Sequence, residues 1–561
     1  MQKKHPTALK NTFINEEVFS MLRLNLNDLI HRDKWEKAGI RVPTFNQRQM
    51  RQETKAHPRW VHVGAGNIFR GFIAELAQQL LESGDMASGI TVLSTYDQQV
   101  ISKIYEPYDA LALRVVMHPD GSLEKEVVGS IGEFLRADRD YPAEWERCKE
   151  IFTAPSLQMV SFTITEKGYA IRNMAGEFYP PVIDDFANGA SGAAPKNGMA
   201  LIAALLLERY RAGALPVAMV SMDNFSHNGD KLFDSVRTFA EKWTENGTAP
   251  KGFLDYICDP VKVSFPWSMI DKITPRPDPR VAEKLMETGY ASTQIVITDK
   301  HTYIAPFVNT EGPQYLVIED KFPNGRPPLE KTGVKLTTRE TVDRVERMKV
   351  CTCLNPLHTA MAVFGCLLGY TSIAEEMKDA AIVKLIKRIG YTEGMPVVTD
   401  PKIFVPTDFI AEVIGERLPN PYIPDTPQRI ATDTSQKLAI RYGETIKRYL
   451  ERSDLDVASL KAIPLVIAAW CRYLMAIDDS GAAMKLSPDP MADELRGYLG
   501  NVRFGCGAEA DEALRPILSN ARVFGVDLYK AGLADKVVSL FKKMAAAPGA
   551  VRRTLEEVVA E

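Results

Sequence analysis

Trp60-Val61-His62-Val63 runs directly into Gly64-Ala65-Gly66-Asn67-Ile68-Phe69-Arg70-Gly71, and an amphipathic segment follows to about Leu81, closed by Ser83-Gly84. The first four residues read as a short buried strand and the amphipathic segment as a helix. Strand, glycine turn and helix in this order open a dinucleotide-binding unit: glycines let the backbone approach a pyrophosphate, and the helix N-terminus meets its charge. The turn departs from the usual fingerprint, because Phe69 stands where a third glycine would be. Residues 64–70 are the candidate cofactor-binding loop: Gly64, Ala65, Gly66, Asn67, Ile68, Phe69 and Arg70. A second strand, Ile90 to Thr95, completes a βαβ unit and leads to Tyr96-Asp97. Asp97 fits two roles, accepting hydrogen bonds from the adenosine ribose or shaping a turn. No arginine stands beside it, which favours NAD over NADP.

Further strand patterns follow at Leu111 to Val116, Met159 to Thr165 and Val217 to Ser221, with a helix expected over Gly198 to Arg211. Alternating strands and helices indicate an α/β fold with a mostly parallel, Rossmann-like sheet. Glu166 and Asn224 each follow a strand, and ligands bind at the carboxyl edge of such a sheet. Each equally fits a plainer role, Glu166 as a solvated carboxylate and Asn224 in an Asx turn. Upstream, residues 1 to about 57 are polar and mixed, contain a helical pattern from Glu16 to Ile30, and are expected to wrap the outside.

From about residue 339 the period changes to that of helices: Thr359 to Leu368, Ile373 to Ile389, Pro406 to Arg417, Leu438 to Arg452, Val457 to Ile477 and Lys536 to Met544. The chain thus divides into a dinucleotide-binding domain with an N-terminal extension, 1–338, and a largely α-helical domain, 339–561. Two domains also suit a length of 561 residues.

Hydrophobic residues at 45% and charged residues at 25% are those of a soluble globular protein. The net charge of −4, from 68 basic and 72 acidic residues, offers nothing for nucleic acid or an anionic membrane in bulk. No apolar run has the length of a membrane span and no apolar h-region follows the N-terminus, so a cytoplasmic protein is expected. Seven scattered cysteines suit reduced thiols; Cys351 and Cys353 form a close pair without a second pair at zinc-site spacing, and no metal site is expected.

The densest chemistry lies in Lys349-Val-Cys-Thr-Cys-Leu-Asn355-Pro356-Leu-His358. Asn355 before Pro356 has the form of an N-cap followed by proline at the first helical position. His358 then falls in the first turn, where a partly negative oxygen is stabilised by exposed N–H groups. Lys349 is a candidate proton carrier.

These blocks, in their shared order, resemble the polyol-specific long-chain dehydrogenases. The resemblance is carried by the Gly64 to Gly71 turn; Thr163-Ile-Thr-Glu166-Lys-Gly-Tyr169; Ser221-Met-Asp-Asn224 with Asn228-Gly229; Val263 to Pro275; Ile318 to Pro327; Lys349, Asn355 and His358; and Arg429-Ile-Ala-Thr-Asp433-Thr-Ser-Gln-Lys437. Three departures stand out. Lys272 replaces the arginine of the family's Val-Asp-Arg, Pro356 replaces a small residue, and five residues instead of four separate Lys349 from Asn355.

The resemblance implies metal-independent hydride transfer between a nicotinamide and the carbinol or ketone carbon of an open-chain sugar derivative. Lys349 would be the general acid in reduction and the base in oxidation, and Asn224 and Asn355 would donate to the carbonyl oxygen. His358 would orient substrate and lysine, while Glu166 would connect the lysine to solvent protons. Arg429, Asp433 and Lys437 lie at four-residue spacing, so a helix would put them on one face. As a solvated charge ladder they need no ligand, but the resemblance implies that Arg429 and Lys437 face the substrate. The expected substrate is a hexuronate ketone, fructuronate interconverting with D-mannonate, with mannitol, fructose or tagaturonate as alternatives. A protein of another class, binding nucleotide and sugar acid without hydride transfer or rearranging the sugar acid, also fits the altered Lys349 spacing. The oligomeric state stays open.

Overall fold

The computed structural model describes residues 21–560. Six parallel strands form its main sheet: β1 (Trp60–Val63), β2 (Ile90–Ser94), β3 (Ile131–Arg136), β4 (Met159–Phe162), β5 (Val217–Ser221) and β6 (Val263–Ser264). Their spatial order is β3-β2-β1-β4-β5-β6, the doubly wound dinucleotide-binding order, whose reversal point lies beside β1. All four residues of β1 are buried, because helices cover both faces of the sheet.

The helix after β1 opens with a wide π segment, Phe69–Ile73, before the regular Ala74–Glu82. Phe69 is buried there with its ring stacked on His62, centroids 4.2 Å apart, which fills the space that a third glycine would leave for close helix–strand packing. His62 is clamped between Ser161 and Thr163, and burial pushes its ring down to about 3, so it is a neutral core histidine.

Several expectations about elements are corrected. The strand found at Ala112–Met117 does not join the main sheet but pairs with Leu123–Val128 and Phe307–Glu311 in a four-stranded mixed sheet, completed by Ile40–Arg41. The expected helix from Glu16 falls partly outside the described residues. Within them it is confined to Leu26–Leu29, because Asn25 is extended and its side chain accepts from Asp28 N, capping the helix there. Residues 21–57 are also not merely a wrapping, since Leu22, Leu24, Trp35 and Ile40 pack into a buried cluster with Leu113 and Phe307.

Thr337 ends the last described strand and Arg339 begins a succession of helices. Asn355–Leu368, Ala462–Tyr473 and Ala534–Met544 share one core, onto which Met269 and Val317 of a small sheet, Ser268–Asp271 with Tyr315–Glu319, also pack. By length and composition Arg339–Leu368 passes for a membrane span, but 83% of its apolar window is buried inside the protein, as for a core helix. The expected long helix Ile373 to Ile389 is broken, because Asp379 caps a new helix, Ala380–Lys387, through Ala381 N and Ile382 N.

Candidate active site

A cleft of about 630 Å³ opens at the carboxyl ends of β1, β2 and β4, lined by Gly64, Ala65, Gly66, Asp97, Thr163 and Asn197 among others. Gly64 has φ +118°, and a Cβ there would sit 2.3 Å from Thr163 O, so only glycine closes this turn. A Cβ on Gly66 would meet nothing within 4 Å, which leaves its backbone open to the cleft. These are the properties of a pyrophosphate cradle, and the residues present fit a dinucleotide. Asp97 Oδ2 accepts from Thr298 Oγ1 at 2.6 Å and Thr302 Oγ1 at 2.5 Å, while Oδ1 takes Gln99 N at 3.3 Å, leaving one carboxylate lone pair for a ribose hydroxyl. Lys300, 204 residues from Tyr96, lies 4.2 Å above its ring, a cation that the local sequence does not show.

The rest of the candidate loop faces away from the cleft. Asn67 donates to Tyr303 O, Ile68 packs against the core, Phe69 is buried, and Arg70 donates through Nη2 to the carbonyls of Ala305 and Phe307 while its buried Nε and Nη1 have no partner. With these side chains turned inward, what this stretch can offer a cofactor is its backbone N–H groups at the start of the helix.

Lys349 is 3% exposed and opens a π turn, Lys349–Cys353, closed by Leu354 N donating to Lys349 O at 3.1 Å. Its ammonium donates to Asn224 Oδ1 at 2.8 Å and Ile270 O at 3.2 Å, leaving one of three donors uncommitted. Burial lowers its pKa, while the nearby Asp271 carboxylate and Glu346 oppose the shift. Asn224 is exposed at the end of β5, on a loop held by the buried Asp223, which accepts from Ile164 N, Thr165 N and the Tyr169 hydroxyl.

Asn355 is the first helical residue and Leu354 takes the capping position, contrary to expectation. The preceding chain is itself helical, so Asn355 enters the helix instead of standing outside its end. Its amide makes no hydrogen bond among the described residues. His358, one turn on, is half-buried, and burial pushes its ring well below the ordinary histidine range despite Asp425 and Asp271 nearby. It is therefore a neutral donor or acceptor at pH 7. Cys351 and Cys353 behave as desolvated thiols, pushed up to about 11 and about 12.

The other expected residues stand differently. Glu166 is exposed on the short turn Thr165–Gly168 and makes no hydrogen bond to Lys349. The segment carrying Arg429 and Lys437 is not one helix. Pro427–Ile430 stops, Asp433 adopts a left-handed φ of +54°, and a 3₁₀ turn follows, so the four-residue spacing no longer means a shared face. Arg429 is 63% exposed and paired with Asp425, and Lys437 donates to the carbonyls of Ile430 and Thr432.

A buried triad escaped the sequence reading. Arg417, 3% exposed, donates to Asp271 Oδ2 at 2.7 Å and Glu311 Oε2 at 2.8 Å, tying the helical part to both smaller sheets. Burial is the largest influence on Asp271 and pushes it up, but Arg417 and Lys349 together hold it below the usual carboxylate range. Glu311, sealed completely, is pushed up by burial. Nothing near Arg417 in the sequence signals either partner. Among the described residues, no group of three or more His, Cys, Asp or Glu side chains is placed to hold a metal ion.

Comparison with known proteins adds the family. A model of the mannitol dehydrogenase Rossmann domain matches residues 58–331, and one of the mannitol dehydrogenase C-terminal domain matches 341–545. A D-mannonate oxidoreductase of Thermotoga maritima is 54% identical over 540 residues, 96% of this chain and 99% of that one. A mannitol 2-dehydrogenase of Phaeosphaeria nodorum is 28% identical, across 87% of this chain and 78% of that one. The fold is shared with Pseudomonas fluorescens mannitol 2-dehydrogenase, solved as a ternary complex with NAD and D-mannitol, at a TM-score of 0.67 and 24% identity over 96% of this chain and 100% of that one. Matched by both domain models across most of its length, and related end to end to a protein at more than half identity, the chain belongs to the mannitol dehydrogenase family.

Proposed function

We propose that the protein is an NAD-dependent oxidoreductase interconverting fructuronate and D-mannonate. The observation that carries this reading is a buried, pKa-lowered Lys349 bonded to Asn224, in a chain 54% identical from end to end to a D-mannonate oxidoreductase. In ketone reduction the Lys349 ammonium gives its proton to the carbonyl oxygen, and in alcohol oxidation the neutral amine takes it back. The nicotinamide, when bound, supplies or accepts the hydride. Asn224 and Asn355 carry amide donors at the mouth of the site that stabilise the oxygen as it gains charge, and neutral His358 orients the hydroxyl beside it.

The Asp97 carboxylate at the adenosine end favours NAD, because a 2′-phosphate there meets a negative charge that is bonded to threonine hydroxyls and not paired with a cation, Lys300 lying over Tyr96 instead. A panel of fructuronate, tagaturonate and fructose with NADH and NADPH, followed by absorbance, tests both points. Fructuronate with NADH is expected to give the highest kcat/KM. Equal rates with fructose would return the reading to mannitol, equal use of NADPH would assign Lys300 to a phosphate, and no turnover of any ketone would mean a binding protein or a different rearrangement.

Gly64 and Gly66 separate architecture from binding. Gly64→Ala is expected to yield little folded protein, since its Cβ collides with Thr163 O at 2.3 Å. Gly66→Ala is expected to keep its melting temperature and yet weaken NADH at least about tenfold, because a methyl group keeps the pyrophosphate from the backbone. Titration of NADH fluorescence checks this, and unchanged affinity would place the pyrophosphate elsewhere.

A further inference from the structure

Arg441 lies on a π segment, Ala439–Gly443, packed along the helix Asn355–Leu368. Its Nη1 donates to Thr359 Oγ1 at 2.5 Å, and the neighbouring Tyr442 hydroxyl donates to Pro356 O at 2.7 Å. These two bonds fix the guanidinium beside the helical turn that carries Asn355 and His358. Its charge is felt by the His358 ring and by Lys437.

What Arg441 lacks is a counter-charge. Among the described residues, no carboxylate lies within ion-pair distance of it, and its Nε and Nη2 donate to nothing. Burial pulls the group down to about 10, the mark of a desolvated cation. The other arginines near the site have counter-charges: Arg417 holds two carboxylates, although its buried Nη2 has no partner, and Arg429 forks onto Asp425. A half-buried guanidinium with one hydroxyl partner is stabilised when an anion joins it, and its free N–H groups are not sealed off by burial, so a ligand can reach them. Two adjacent unpaired N–H groups present the fork that a carboxylate accepts.

We propose that Arg441, and not Arg429, receives the carboxylate of the sugar acid and sets the preference for charged over neutral substrates. This rests on the proposed function. It moves the specificity determinant from an exposed, already paired arginine to a desolvated and unpaired one, where a charge pair is screened less.

The test is the ratio of kcat/KM for fructuronate to that for fructose, measured with NADH on wild type, Arg441→Gln, Arg441→Lys and Arg429→Ala. Arg441→Gln is expected to lower the ratio at least about a hundredfold, mostly through KM for the keto acid, with NADH affinity unchanged. Arg441→Lys keeps the cation but not the fork and is expected to lose about tenfold on the keto acid alone. Arg429→Ala is expected to leave the ratio within about fivefold of wild type. If Arg441→Gln does not fold, Arg441→Lys decides: equal losses on both substrates overturn the proposal. So does a preference kept in Arg441→Gln or lost in Arg429→Ala. A wild type that does not reduce fructuronate would instead overturn the proposed function itself.

Discussion

Lys349→Ala loses at least about a thousandfold of kcat in both directions while its affinity for NADH stays within about threefold of wild type. The lysine contacts Asn224 and Ile270 O but does not line the dinucleotide cleft, so its removal costs proton transfer and leaves the cradle intact. Burial also tunes the side chain toward this role. Burial lowers its pKa, so the neutral amine needed for alcohol oxidation forms below the ordinary lysine value of 10.5. Oxidation of D-mannonate should therefore rise with pH and level off before that value. Fructuronate reduction, which needs the ammonium, should fall over the same range. Stopped-flow kcat and NADH fluorescence separate the two effects. A variant that keeps a tenth of wild-type kcat would show that another group carries the proton.

Arg417→Met should be the most damaging single change to stability away from the cofactor loop. The arginine leaves behind Asp271 and Glu311, whose side chains are 6% and 0% exposed, without their shared cation. Removing one partner from a buried pair costs about 3–5 kcal/mol, because the remaining charge is neither solvated nor neutralised. Asp271 is held low in the folded protein by Arg417, so the stabilisation it brings is present at neutral pH and lost as pH falls through its folded pKa. The variant should accordingly lose most at neutral pH and less in acid. Replacing all three residues together, Arg417→Met with Asp271→Asn and Glu311→Gln, should recover much of the loss, since no charge is then stranded. Thermal or urea unfolding at two pH values decides; a single variant within about 1 kcal/mol of wild type would mean that water already reaches the triad.

What local pattern encodes was legible in the sequence: the βαβ opening, the strand Val217–Ser221, the helix Gly198–Arg211 and the change to helices after residue 338. Pairing was not. Nothing near Ala112–Met117 says that its partner is Phe307–Glu311, so a correctly located strand was put in the wrong sheet. The same holds for the site. Lys349 and Asn224 meet across 125 residues, and only family likeness, not spacing, put them together in advance. Arg429 to Lys437 misled because four-residue spacing implies a face only while the chain stays helical, and Asp433 leaves the helix. Arg441 gave no signal at all, since its one informative property is the carboxylate it does not have.

The π turn at Lys349–Cys353 bears on how such a chain tolerates length changes over evolutionary time. An added residue in a regular helix swings everything on one side by about 100° relative to the other. Taken up as a single wide turn, the addition stays local, and the side chains before and after it continue to meet across one groove. The sixth step from Lys349 to Asn355 is thus no evidence that the lysine has been retired. A lineage can gain a residue here in one event and keep its chemistry, so the lysines of longer and shorter relatives are to be equated by the groove they face, not by counting back from the asparagine.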